Sequence, residues 1–297
     1  MIKYYLEELL EPTILFGIFS ALLGLSAALY YSHFNWPLAI LVVLGVALAH
    51  ISVNLVDDYT DYKKGIDKET IKTKFSGGSK VLSSGKIKPR ALLGLAIALA
   101  LMAGAIGLFL LSVNIILLPI IVIGAITIFF YAAYLVRVPF LAEPITALNF
   151  TLISVGSFIV AYGSGAMLHN ALFAMIPAGM MVGIILMLNS IPDKSVDKKY
   201  GRRSGVVILG TREKIAVYYL AWEAAACIII LYGIISRALP ATFLITLLTV
   251  PIALKVYGGI RNYKSPALHE KTMGTGALFT LGFILLCSVS YLLAMVI

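Results

Sequence analysis

The chain has 297 residues, of which 61% are apolar and only 12% charged, against roughly 25% charged in an ordinary soluble domain. A soluble core cannot absorb that excess, so the composition excludes a soluble globular protein and requires a bilayer. The formal net charge of +9 follows from the Lys/Arg bias of membrane loops rather than from a nucleic-acid surface. The two cysteines, Cys227 and Cys287, lie inside apolar blocks, where they read as packing residues and not as a disulfide or thiolate metal framework.

No removable leader is expected, because residues 1–11 carry one Lys and three Glu ahead of a first apolar block long enough to span. Nine spans are predicted, at about 12–31, 37–56, 91–112, 115–136, 144–163, 171–191, 214–235, 240–258 and 274–296, each near the ~20 residues needed to cross. The stretch from Ala91 to Val136 has 46 residues without a charge. As one helix it would be about 69 Å long, more than twice a hydrocarbon core of about 30 Å, so it must turn, and Ser112-Val113-Asn114 is the natural place. Lys and Arg number 1 in the N-terminal tail, 9 in loop 57–90, 1 in 137–143, 7 in 192–214 and 4 in 255–273, whereas the opposite face holds only Arg237. By the positive-inside rule the N-terminus and these loops are cytoplasmic and the C-terminus lies outside the cell membrane. The expectation is an all-α, polytopic integral membrane bundle of nine transmembrane helices, with residues 1–297 as a single domain.

The chemistry-bearing residues gather at two span ends. The second span ends in a segment with Asn54, Asp58 and Asp61 at i, i+4 and i+7, one face of a helix, which His50 continues one turn deeper. The sixth ends with Asn189, Asp193 and Asp197 at i, i+4 and i+8. The 135-residue offset between the two Asn residues hints at an internal duplication. All six aspartates of the chain lie in these two segments, and acidic residues contribute little to topology. Converging carboxylates repel one another unless a cation neutralises them, and Mg²⁺ takes oxygen ligands from one or two carboxylates plus substrate phosphates. Nearby cations, Lys63, Lys64 and Lys80 in one loop and Lys194, Lys198, Arg202 and Arg203 in the other, would meet the remaining phosphate charge, although the orientation rule explains them equally well.

These segments resemble the UbiA superfamily of intramembrane prenyltransferases. Asn54-x3-Asp58-x2-Asp61 with Gly65 and Asp67 is most similar to the 1,4-dihydroxy-2-naphthoate polyprenyltransferase branch. It departs from the ubiquinone branch at Leu55, where that branch carries Asp, and in a shortened later spacing that makes Asp61 the acid. The second motif is Asp193-x3-Asp197, followed by Gly201-Arg202-Arg203-Ser204; Gly77-Gly78-Ser79-Lys80 and Pro266-Ala267-Leu268-His269 add to the likeness. The resemblance implies that Asn54, Asp58, Asp61, Asp193 and Asp197 bind Mg²⁺ and through it the diphosphate of an isoprenyl donor. Lys80, Tyr134, Arg137, Lys198 and Arg202 would contact substrate. The implied reaction ionises an allylic diphosphate, attaches the prenyl group to an aromatic quinone precursor inside the bilayer and releases pyrophosphate. Other acceptors, a porphyrin alcohol or a glycerol phosphate, use the same chemistry.

The remaining polar residues carry two readings each. His50 could touch substrate or bond a neighbouring helix. Glu223, the acid well inside a span, is a functional carboxylate or a protonated, interhelically bonded one. Glu143, before Pro144, reads as a helix cap, and the Met-rich sixth span (Met175, Met180, Met181, Met187) as lipid-facing or packing surface. A transporter would spread ionisable groups through the membrane depth, whereas the acids here concentrate at one edge.

Overall fold

The computed structural model describes residues 4–5, 9, 11–70, 72–73, 81–131 and 134–297. Among them every regular element is helical. The helices are α1 (Ile14–Tyr30), α2 (Trp36–Lys64), α3 (Pro89–Val113), α4 (Leu118–Phe130), α5 (Ala142–Tyr162), α6 (Leu168–Lys199), a short α7 (Gly205–Leu209), α8 (Arg212–Ile235), α9 (Val250–Arg261, continuing a 3₁₀ segment Ala241–Thr249) and α10 (Pro266–Leu293). Seven of the helical stretches are long and apolar enough to cross a membrane; Ile14–Tyr30 and Ile115–Thr127 are apolar but shorter.

Two predicted boundaries are corrected. The second and sixth spans were expected to end near 56 and 191, ahead of loops 57–90 and 192–214, yet α2 runs to Lys64 and α6 to Lys199. Hydropathy reports where the bilayer stops; helical hydrogen bonding continues until the backbone finds a reason to turn. For α2 that reason is Gly65 in the left-handed region at φ 76°, whose N–H bonds back to Asp61 and Tyr62, a conformation that a residue without Cβ adopts freely. The other end of α2 is set by Asn35, whose side chain accepts the N–H of Leu38 at 3.2 Å.

Helix α6 is the most deeply buried long helix. It packs against α5, α8 and α10, and Met175, Met181 and Met187 are fully enclosed, so its methionines are packing residues. Pro192 lies inside α6 and cannot donate to the carbonyl of Leu188 four residues back. His269 of α10 fills that place, its Nε2 standing 3.2 Å from the Leu188 oxygen. In a membrane, where water does not meet freed backbone groups, such substitution is what lets a helix carry proline. Similar hydroxyl bonds pin neighbouring helices: Ser154 donates to the Ser20 carbonyl at 2.7 Å, Ser52 to Ala96 at 2.8 Å and Thr280 to Met181 at 3.2 Å. By contrast α3 and α4, consecutive in sequence, barely touch beyond the turn that joins them. Between them, α2 and α5 a space remains.

Candidate active site

That space is a cavity of about 660 Å³ walled mainly by aliphatic side chains and glycines of α2, α3, α4 and α5, within the size range of ligand pockets. Leu101 lines it while 69% exposed, so the chamber opens sideways. Polar groups enter at one end: Asn54 and Asp57 from α2 and Asn189 from α6. The two Asn residues singled out by spacing are therefore brought to one cavity mouth.

Asp57 is the acid that the motif reading left out of its ligand set. At i+3 from Asn54 it lines the cavity, and its Oδ1 is buried and accepts no hydrogen bond among the described residues. An unsatisfied buried carboxylate oxygen costs stability, and such a group is retained where a ligand completes it. The signal was present in the sequence as the pair Asp57-Asp58, but one-face counting favoured Asp58. Asp58 and Asp193 are half-buried.

Asp61 and Asp197 meet through a cation. Arg202 Nη2 lies 2.6 and 2.7 Å from the two oxygens of Asp61, and its Nη1 is 3.6 Å from Asp197. Burial by itself would weaken the charge of Arg202; the carboxylates of Asp61, Asp57 and Asp197 more than offset this and hold the guanidinium above its ordinary range. The motif acids of α2 and α6 are thus held at one place by a side chain from the following loop. Glu69, Lys199 and Tyr200 make a second bridge between the same two helix ends: Lys199 Nζ donates at 2.7 Å and Tyr200 Oη at 2.8 Å to Glu69. These donations keep the Glu69 carboxyl below the usual range. Sequence reasoning missed this trio, which has no motif spacing to betray it.

Glu143, in the first turn of α5, also caps a second helix. Fully buried, it accepts the N–H of Gly205 at 2.9 and 3.1 Å, which starts α7 and fixes the loop that carries Arg202. Asn54 directs its amide to Thr13 at 2.9 Å and Glu11 at 3.4 Å, which leaves the carbonyl oxygen, the atom a hard cation takes. Tyr134, Arg137 and Lys198 are exposed, and Lys80 lies outside the described residues. Glu223 is buried with one carboxylate oxygen unbonded, away from the cavity lining.

Among the described residues no three carboxylate, imidazole or thiol groups are gathered closely enough to hold a metal unaided, so a ready-made multi-acid cage between the two motifs is not what this arrangement provides. The donors present still suit Mg²⁺: they are oxygens, one of them is orphaned, and this ion takes one or two carboxylates and fills its remaining positions with substrate phosphate and water.

Comparison with known proteins places this geometry. The chain matches the UbiA prenyltransferase family over residues 17–284. It is 26% identical over 268 residues to a 1,4-dihydroxy-2-naphthoate octaprenyltransferase of Bacillus subtilis (strain 168), covering 88% of this chain and 83% of that protein. Among solved structures, a UbiA homologue from Aeropyrum pernix K1 in its apo form shares the fold at a TM-score of 0.72 with 18% identity, covering 96% of this chain and 98% of that one. A UbiA homologue from Archaeoglobus fulgidus, solved bound to GPP and Mg²⁺, shares it at 0.56 with 15% identity, covering 96% and 99%. An all-helical membrane bundle with two Asn/Asp motifs at one cavity mouth, matched along nine-tenths of its length, belongs to the UbiA prenyltransferase family and is a prenyltransferase.

Proposed function

We propose that this protein transfers an isoprenyl group from an allylic prenyl diphosphate to an aromatic quinone precursor, of the 1,4-dihydroxy-2-naphthoate kind, with Mg²⁺ as cofactor. In this reading the chain crosses the cell membrane nine times, with its N-terminus and the acid-bearing helix ends in the cytoplasm and its C-terminus outside. The observation that carries the proposal is Asp57: a half-buried carboxylate whose Oδ1 is enclosed and unused, at the mouth of an apolar chamber.

Asn54, Asp57, Asp58 and Asp61 from α2 and Asp193 and Asp197 from α6 are the oxygen donors from which each Mg²⁺ would draw one or two carboxylates, with diphosphate and water filling its other positions. Bound Mg²⁺ would act as the Lewis acid that takes up charge on the departing pyrophosphate. Arg202, wedged between Asp61 and Asp197, brings a fixed positive charge to the same mouth, and a preorganised cation there stabilises developing phosphate charge without reorganising. The aliphatic walls exclude the water that would quench an allylic cation, and the sideways opening suits a donor that already resides in the bilayer. The likeness to the Bacillus subtilis enzyme supports the naphthoate acceptor; the GPP and Mg²⁺ in the Archaeoglobus fulgidus homologue support the donor and the metal.

The test is pyrophosphate release by purified protein given geranyl diphosphate and 1,4-dihydroxy-2-naphthoate. Release in Mg²⁺ that stops with EDTA is expected, as is a loss of about 10²–10³-fold in Asp57→Ala or Asp193→Ala protein that still unfolds cooperatively. Wild-type rates in both variants would overturn the site assignment.

A further inference from the structure

Among the described residues His50 has no hydrogen-bond partner. It lies in the middle of α2, one turn deeper than Asn54, and lines the cavity. Among the described residues it makes no hydrogen bond, and its ring meets that of Phe150 edge-on, at 5.6 Å between centroids and 68° between planes. A polar side chain inside a membrane helix ordinarily bonds a neighbouring helix, as His269 does with Leu188. An ionisable group in lipid that does not is retained at a cost, and such residues mark ligand paths. Room is made for its ring: a Cβ on Gly17 would stand 2.9 Å from His50 Nδ1 and 3.3 Å from Val46 Cγ1.

We propose that His50 is the residue that recognises the acceptor, by a hydrogen bond to a ring hydroxyl while the aromatic nucleus lies against Phe150. This inference rests on the aromatic-acceptor reading above and narrows it to hydroxylated rings. The depth fits. His50 and Asp57 are seven residues apart on one helix face, about 10 Å along the axis. A diphosphate held at Asp57 sets its allylic carbon a few ångströms further in. The attacked ring carbon must approach within about 3–3.5 Å of that carbon, which brings a hydroxyl on the same ring to the level of His50. Asn149 adds a second polar group at this level: it lines the cavity beside Phe150, and its Oδ1 receives Thr127 Oγ1 at 3.3 Å while no bond from its amide nitrogen is recorded among the described residues.

The experiment is equilibrium binding of two probes, 1-hydroxy-2-naphthoate and 2-naphthoate, which lacks the hydroxyl, to the full-length protein. The wild type is expected to favour the hydroxylated probe by about tenfold, the range of one hydrogen bond to a buried polar group. In His50→Phe that preference should vanish, in His50→Asn part of it should return, and binding of geranyl diphosphate in Mg²⁺ should change by less than about twofold. Gly17→Ala keeps the imidazole but presses on it, and should weaken the preference in protein that folds normally, which covers the case in which His50→Phe does not fold. An undiminished tenfold preference in His50→Phe and Gly17→Ala would overturn the role of His50 and leave the prenyltransfer reading intact. If the wild type releases pyrophosphate with no hydroxylated aromatic acceptor, the acceptor reading and this inference fall together.

Discussion

Glycines on the two sides of the bundle serve opposite ends. On the α1–α5–α6 side, a methyl added to Gly24 would run into the carbonyl oxygen of Ser154, and one added to Gly179 into the carbonyl of Ala147 and the hydroxyl of Thr151. On the cavity side, a methyl at Gly104 or Gly124 would meet nothing within 4 Å. Lipid tails are as apolar as leucine, so helices in a membrane associate through close backbone approach and not through a hydrophobic drive. The first set of glycines creates that approach and fixes α6, with Asn189 to Asp197 at its end. The second set holds space open next to α2, with Asn54 and Asp57. One motif stands on a clamped helix and the other on the wall of a chamber that a guest must fill.

The charged joint between those two sides gives the largest expected effect on stability. Arg202→Gln removes the cation shared by Asp61 and Asp197 and leaves the buried carboxylates of both helices facing one another. Breaking a largely buried ion pair costs about 3–5 kcal/mol; Arg202 and Asp61 are 21% and 16% exposed at their side chains, which points to the lower end. Thermal unfolding in metal-free buffer should show that loss, and added Mg²⁺ should restore part of it by binding the folded state. An unchanged melting temperature without metal would show that the joint bears no load.

A smaller effect is expected from the clamped side itself. Gly179→Ala forces α5 and α6 apart at a point where the obstacle is backbone, which cannot rotate away. Overpacking of this kind costs about 1–3 kcal/mol, read as a lower melting temperature, with the loss in activity following the loss of folded protein. A variant as stable as the wild type would mean that the seam is looser than its glycines indicate.

How much of this was legible beforehand depends on what kind of physics each feature obeys. The membrane class and the approximate positions of the long helices follow from hydropathy, and hydropathy is a local property. The pairing of Asn54 with Asn189 was also visible, because a helix repeats its face at fixed spacing. The choice of Asp57 as the cavity-lining acid was not. It turns on which side of α2 faces a void between α3 and α4, and that void comes from packing that fails to close, which no residue pattern announces. Glu143 shows the same limit. Its position before Pro144 suggested a cap on its own helix, where it does stand in the first turn, but the N–H it takes from Gly205 is 62 residues away and near only through the fold. Arg202 was named as a phosphate ligand, whereas its grip on Asp61 and Asp197 depends on α2 outlasting the bilayer by two turns.

The gentlest perturbation of the open side is Gly124→Leu. Nothing stands where the new side chain would begin, and leucine is a strong helix former, whereas glycine in a helix interior costs about 1 kcal/mol relative to alanine. The protein should therefore fold as well as the wild type or slightly better, in contrast to Gly179→Ala. The added isobutyl group takes up part of a cavity that also counts Ile120, Ile121 and Thr127 in its wall, leaving less room for a long prenyl tail. Discrimination of that kind in an apolar pocket amounts to about 1–3 kcal/mol per group at most, so KM should rise several-fold for a long polyprenyl diphosphate and little for geranyl diphosphate. Kinetics with donors of graded length would show it as a slope that steepens with chain length. Equal sensitivity at every length would place the tail elsewhere and make the open glycines a matter of lipid contact alone.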